Sequence, residues 1–266
     1  MMQELGYSLA GLLVGFAIGA TGVGGGSLMT PMLILFYGVS PALAVGTDLL
    51  FASVSKTFAA TLHSRNGSVD WHLVGWQTLG SVPAVFLTLW ALQGYTDPAG
   101  LSHLIKLVLS GAIILTATFM LFQEPLLRCL RDRPESERWL TEPRRRLLTV
   151  VAGVVIGVVV TISSVGAGVI GLMLLMLLYP RREIVNIVGS DLAHAVLVTA
   201  IAGLGHAKLG TVDYGMLGAL LLGSFPGVWL GSKLGFHMSN VAMKRSIAGL
   251  LIFVGATTLA RAAIGG

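Results

Sequence analysis

The chain has 266 residues, 55% of them apolar and only 11% charged, where an ordinary soluble domain carries about a quarter charged residues. That balance excludes a water-soluble globule. The net charge of +5 comes mainly from arginines in one stretch, so it is a topology signal and not a nucleic-acid footprint. The single cysteine, Cys129, cannot form an internal disulfide and has no CxxC or histidine neighbour that would suggest metal or redox work. The composition points to an all-α polytopic membrane protein.

In chain order, Met-Met-Gln-Glu lacks a basic n-region, and the first apolar window, about 5–21, ends in glycines and not in a cleavage site. No signal peptide is expected there. Residues 19–31, Gly-Ala-Thr-Gly-Val-Gly-Gly-Gly-Ser-Leu-Met-Thr-Pro, then interrupt two apolar runs. Each glycine costs about 1 kcal/mol in a helix interior, so Gly22, Gly24, Gly25 and Gly26 should break the helix. Non-helical backbone at membrane depth survives only inside protein or beside a watery cavity, which makes the break a binding-site candidate. The run from Ser27 to Tyr37 can start a half-helix whose N-terminus favours an anion.

Further apolar windows fall at about 42–62, 72–92 and 102–122. Residues 123–145 differ: they hold Arg128, Arg131, Arg133, Arg138, Arg144 and Arg145, with Arg146 directly after, together with acids and three prolines. This stretch is expected to be a cytoplasmic linker between a first transmembrane repeat, 1–122, and a second, 146–266. Windows resume at about 146–162, 169–179, 184–205, 214–236 and 240–262.

The halves match residue by residue. Val45 to Pro83 aligns without a gap on Val188 to Pro226, so Val-Gly-Thr-Asp-Leu at 45–49 meets Val-Gly-Ser-Asp-Leu at 188–192. His63, Gly67, Val69 and Asp70 meet His206, Gly210, Val212 and Asp213. Upstream, after a one-residue shift, Thr21 to Gly26 lies on Ser163-Ser164-Val165-Gly166-Ala167-Gly168, a second break. Each repeat therefore has a glycine-broken helix or re-entrant hairpin followed by three transmembrane helices. If each break turns the chain around, the repeats are inverted. Apart from Lys56, every cation but Lys106, Lys208 and Arg261 then lies on the linker side. The positive-inside rule favours that arrangement over parallel halves.

Several polar residues sit where a membrane makes them expensive, by about 3 kcal/mol each on insertion scales. Asp48, Lys56 and Asp191 lie inside apolar windows, and His194 is one turn from Asp191 on the same helix face. A salt bridge tying helices together is the plain reading for Asp48 and Lys56. Their eight-residue spacing sets them about 80° apart, which fits a shared cavity better than a neat pair. Lys56 aligns with Thr199 and His194 with Phe51, so one half brings a fixed cation and the other a group that titrates near neutral pH. Substrate-binding candidates are Gly22, Gly24, Gly25, Gly26, Ser27, Thr47, Lys56, Ser163, Ser164, Gly166, Gly168 and Ser190. Asp48, Asp191 and His194 are candidates for proton or Na⁺ coupling. His63 and His206 stand at span ends and are expected to be merely wetted, while Asp70 and Asp213 are expected to cap helices. The four-residue glycine spacings at 11, 15 and 19 and at 223, 227, 231 and 235 suggest close helix packing.

These residues carry a resemblance. The Gly-x-Gly-Gly-Gly break with its Thr-Pro half-helix, the Val-Gly-Thr-Asp-Leu segment and the Gly-Ser-Val-Asp-Trp turn resemble the TauE/SafE family of sulfite and organosulfur-anion permeases. Asp48 and Asp191 depart from the pattern, since many members carry a neutral residue there. The resemblance implies alternating-access export of a small oxyanion, sulfite or a sulfonate, across a bacterial cytoplasmic (inner) membrane. A proton-coupled importer of a small organic anion is the alternative. An intramembrane enzyme lacks HExxH, GxSxG or a placed nucleophile, and a structural or sensory protein has little reason to keep two polar breaks. No catalytic residue, metal, cofactor or nucleic-acid partner is expected; oligomeric state is not legible.

Overall fold

The computed structural model describes residues 2–21, 26–65, 67–94, 97–131 and 141–235. Every regular element among them is helical: α1 (Met2–Thr21), α2 (Gly26–Tyr37), α3 (Pro41–Arg65), α4 (Trp71–Gln93), α5 (Pro98–Arg131), α6 (Glu142–Ser163), α7 (Val169–Leu178), α8 (Ile184–Lys208) and α9 (Tyr214–Gly235). The apolar window at 240–262 lies outside the described residues. Helices α4, α5, α6, α8 and α9 each hold a stretch long and apolar enough to cross a bilayer. Large apolar side chains such as Trp71, Phe86, Trp90, Leu222, Phe225 and Trp229 are exposed on the outside. That is the surface lipid requires and water would not tolerate.

Helix α3 is too polar to join those spans by hydropathy, with Thr47, Asp48, Ser55 and Lys56 all buried. Around that buried stretch it packs against α1, α2, α5, α6, α8 and α9. Its main partner is α8, and the two run antiparallel. Gly46 near the start of α3 meets His206 and Thr211, Gly203 meets Leu50, and Gly189 near the start of α8 meets Ser68.

Glycines set the other two close pairings. Helix α1 runs parallel to α9: a Cβ on Gly11 would fall 2.1 Å from the Leu220 carbonyl oxygen, one on Gly15 2.6 Å from that of Ser224, and one on Gly223 1.8 Å from that of Ser8. Helices α4 and α6, the repeat partners of α9 and α1, pack the same way. Gly80 abuts the Val150 carbonyl, Gly153 that of Gln77 and Gly157 that of Ser81. Only a hydrogen on Cα lets backbones approach so closely.

Each broken helix is a hairpin. The Tyr37 hydroxyl at the end of α2 donates to the Gly6 carbonyl near the start of α1 at 2.7 Å. In the second half Tyr179, just past α7, lies 2.9 Å from Thr149 near the start of α6. The charged stretch at 123–145 is helical at both its described ends. Helix α5 continues through Pro125 to Arg131, and Pro143 sits in the first turn of α6, where its missing N–H leaves no bond unmade. Asp70 caps α4 by accepting from the His72 and Leu73 amides, and Asp213 accepts from the Met216 amide at the start of α9.

Candidate functional site

The second break forms where glycine frees the backbone. Ser164 ends α6 in the left-handed region at φ 58°, and Gly166 and Gly168 follow at φ 114° and 127°, conformations an L side chain rarely adopts. Ser163 steadies the turn by donating to the Val159 carbonyl at 2.7 Å and accepting from the Val165 amide at 3.3 Å. Ser163, Ser164, Gly166 and Gly168 are all buried. In the first break, Gly22, Gly24 and Gly25 lie outside the described residues; of Gly26 and Ser27 only the helical backbone is described.

The two half-helices start against acids. Asp48 is fully buried, and its Oδ2 accepts from the Thr30 amide at 3.2 Å and the Thr30 hydroxyl at 2.5 Å in the first turns of α2. Asp191 occupies the matched place on α8: a Cβ on Gly171, in the first turn of α7, would fall 2.0 Å from its Oδ1. A carboxylate at a helix N-terminus satisfies the dipole that the sequence reserved for a substrate anion. The acids themselves therefore sit at the positive ends.

Lys56 lies between them. It is fully buried, with both carboxylates nearby. Its ammonium donates to the Ala167 carbonyl, so a cation from the first repeat reaches into the break of the second. The plain Asp48–Lys56 tie gives way to a contact across the repeats. The Ser164 hydroxyl of the second break lies beside the Asp48 carboxylate, and both are buried.

Thr47 and Ser190 sit beside the acids but bond elsewhere. The Thr47 hydroxyl accepts from the Asp213 amide at 3.0 Å and that of Ser190 from the Asp70 amide at 2.8 Å. Each ties its helix to the other repeat's capping turn. His194 is buried with Nε2 2.9 Å from the Ser81 hydroxyl of α4. His206 is not a wetted span end: it is 3% exposed, with Nε2 donating to the Thr161 carbonyl at 2.9 Å and Nδ1 2.8 Å from the Thr211 hydroxyl. The close approach at Gly46 draws it into the α3–α8 contact. The His63 side chain lies outside the described residues.

Sequence reasoning passed over Thr30, Ser81 and Gln77. Gln77 is fully buried, and neither side-chain atom has a hydrogen-bond partner among the described residues. A lone glutamine inside the 72–92 window was the signal available.

The assembled site, a buried cation with two acids where two hairpins meet, suits a carrier. A profile described as Sulfite exporter TauE/SafE matches residues 7–258. The chain belongs to the TauE/SafE family. It is 36% identical over 252 residues to Bacillus subtilis (strain 168) "Probable membrane transporter protein YjnA", covering 93% of this chain and 96% of that protein. It is 27% identical over 253 residues to "Probable membrane transporter protein YdhB" of the same strain, covering 90% and 96%. A "Probable membrane transporter protein" of Xylella fastidiosa (strain 9a5c) is 27% identical over 234 residues, covering 86% and 84%. No solved structure matches the chain. As a TauE/SafE member with membrane-spanning helices, the protein is an integral membrane transporter of a small substrate and not an enzyme.

Proposed function

We propose that the protein exports a small oxyanion, sulfite or a sulfonate or related organosulfur anion, by alternating access between two inverted repeats. The observation that carries this reading is Lys56, a cation of α3 that is fully buried and bonded into the second break. A buried ammonium is costly unless its charge is used, and an anionic ligand uses it. The family description, which names sulfite, supports the substrate class. Inversion is supported by the antiparallel contact of the sequence-matched helices α3 and α8. It is also supported by the Arg182–Asp70 ion pair, which joins loops 67–70 and 179–183 at the linker end. That end faces the cytoplasm of a bacterial inner membrane in this reading.

Export needs no coupling ion. A membrane potential of about 100 mV, inside negative, drives a monoanion outward with about 2.3 kcal/mol. A second reading, proton- or Na⁺-coupled import of an organic anion, is favoured by Asp48 and Asp191, buried near Lys56, and by His194, buried one turn from Asp191 on α8. The deciding experiment is flux into proteoliposomes of a panel of sulfur oxyanions, sulfonates and carboxylates, with potential and pH gradient set separately. Potential-driven flux of sulfur oxyanions that ignores the pH gradient is expected. Flux that follows the pH gradient selects the importer, and carboxylate flux alone overturns the substrate class.

A further inference from the structure

Gln77 is fully buried with a polar end that the fold does not bond among the described residues. It lies one turn from Ser81 on the face of α4 turned to the seam between α6 and α8, and its buried amide makes no hydrogen bond among the described residues. An amide buried in that way is unfavourable, so a position that only had to be filled would carry an apolar residue.

The second repeat supplies the comparison. Leu220 occupies the matched position on α9, fully buried, with Gly11 of α1 against its carbonyl just as Gly153 of α6 lies against that of Gln77. Phe51, fully buried, matches His194, while Ser224 matches Ser81. The same architecture therefore packs with leucine and phenylalanine in one half and carries glutamine and histidine in the other.

The two polar residues stand one turn apart on neighbouring helices. Helices α4 and α8 run in the same direction: Leu73 and Ile187 share an apolar cluster toward the linker end, and Leu89 abuts Gly205 at the other. With Ser81 bonded to His194, Gln77 stands one turn nearer the linker, level with Asp191. We propose that Gln77, Ser81 and His194 form a hydrogen-bonding subsite on the linker side of Lys56 that takes the oxygens of the transported oxyanion, with Gln77 as a specificity residue. Two amide hydrogens and the one proton that the Ser81–His194 bond leaves free offer donors without another fixed charge, which holds an anion firmly enough to enter and loosely enough to leave.

This proposal rests on the oxyanion reading above, and accessibility separates the two. In a Cys129→Ser background, Gln77→Cys is probed with methanethiosulfonate ethylsulfonate, itself a small sulfonate, beside Leu220→Cys and the outward-facing Leu79→Cys. Gln77→Cys is expected to react roughly tenfold faster than either control and to be protected by methanesulfonate. Gln77→Leu is expected to melt no lower than wild type while its KM for the carried oxyanion rises roughly tenfold. Equal reactivity of Gln77→Cys and Leu220→Cys overturns the subsite, as does Gln77→Leu transport with wild-type KM and selectivity. A Gln77→Leu protein that melts well below wild type, and is restored by Gln77→Asn, assigns the residue to the fold and also overturns it. Reactive Gln77→Cys without flux of any oxyanion overturns the ligand and, with it, the oxyanion reading, while leaving the position on a watery path.

Discussion

In the proposed reading, Lys56 and the two acids divide the work of the site by what each side chain touches. The ammonium reaches the Ala167 carbonyl and has both carboxylates as neighbours, so on that reading Lys56→Met removes the charge proposed to attract the anion. Substrate KM in proteoliposomes is expected to rise at least about tenfold under every driving force, as loss of a charge-assisted contact does. An unchanged KM removes Lys56 from the site. Asp48 is held by both the amide and the hydroxyl of Thr30. Asp48→Asn is expected to impair substrate exchange and gradient-driven flux alike, because it disturbs that cap and strips Lys56 of a partner. Under the coupled reading Asp191→Asn behaves differently: exchange at equal concentrations persists and the response to a pH gradient disappears. Equal loss of both activities in both mutants leaves the acids as structural partners.

Among the elements, the glycine-lined pairs α1–α9 and α4–α6 hold the bundle together at backbone distance. A Cβ on Gly80 would fall 2.0 Å from the Val150 carbonyl oxygen, whereas one on Gly75 of the same helix meets nothing within 4 Å. Gly80→Ala must push α4 from α6 and is expected to cost about 1–3 kcal/mol, as overpacking does. Gly75→Ala is expected to be neutral or slightly stabilising through helix propensity. Thermal melting of the two purified variants in detergent checks this, and equal melting points would show that α4 and α6 slide apart without penalty. The glycine spacings at 11 and 15 and at 223 and 227 were legible as packing stripes. Their partners were not, because spacing along one helix says which face is small and nothing about which helix comes to it.

For the whole molecule, the arrangement predicts opposite sides for matched loops. In a Cys129→Ser background, Asn66→Cys is expected to label from the cytoplasmic side and Leu209→Cys from the external side with an impermeant maleimide. Labelling of both from one side makes the halves parallel. The Arg182–Asp70 ion pair, backed by the Arg182 guanidinium 5.3 Å from the centre of the Tyr179 ring, joins loops of both repeats at the linker end. Residues 38–40, matched to that arginine's loop, carry no cation. Arg182→Gln is therefore expected to raise the accessibility of the linker-side path and leave the other end unchanged, which cysteine labelling at each end measures.

Hydropathy and the glycine breaks determined from sequence alone that the chain is a helical membrane protein, because length, apolarity and helix breaking are local properties. The candidates Lys56, Asp48, Asp191 and His194 were legible for the same reason, each being expensive in an apolar window. Only the tertiary structure decided their partners. It set Asp48 on Thr30, Lys56 on Ala167 and His194 on Ser81, and drew Thr47 and Ser190 to the capping turns of the opposite repeat. Those contacts join residues from 18 to 166 positions apart. They depend on which helices come together, and the backbone-to-backbone approach of α3 to α8 at Gly46 and Gly203 is a property of two surfaces at once.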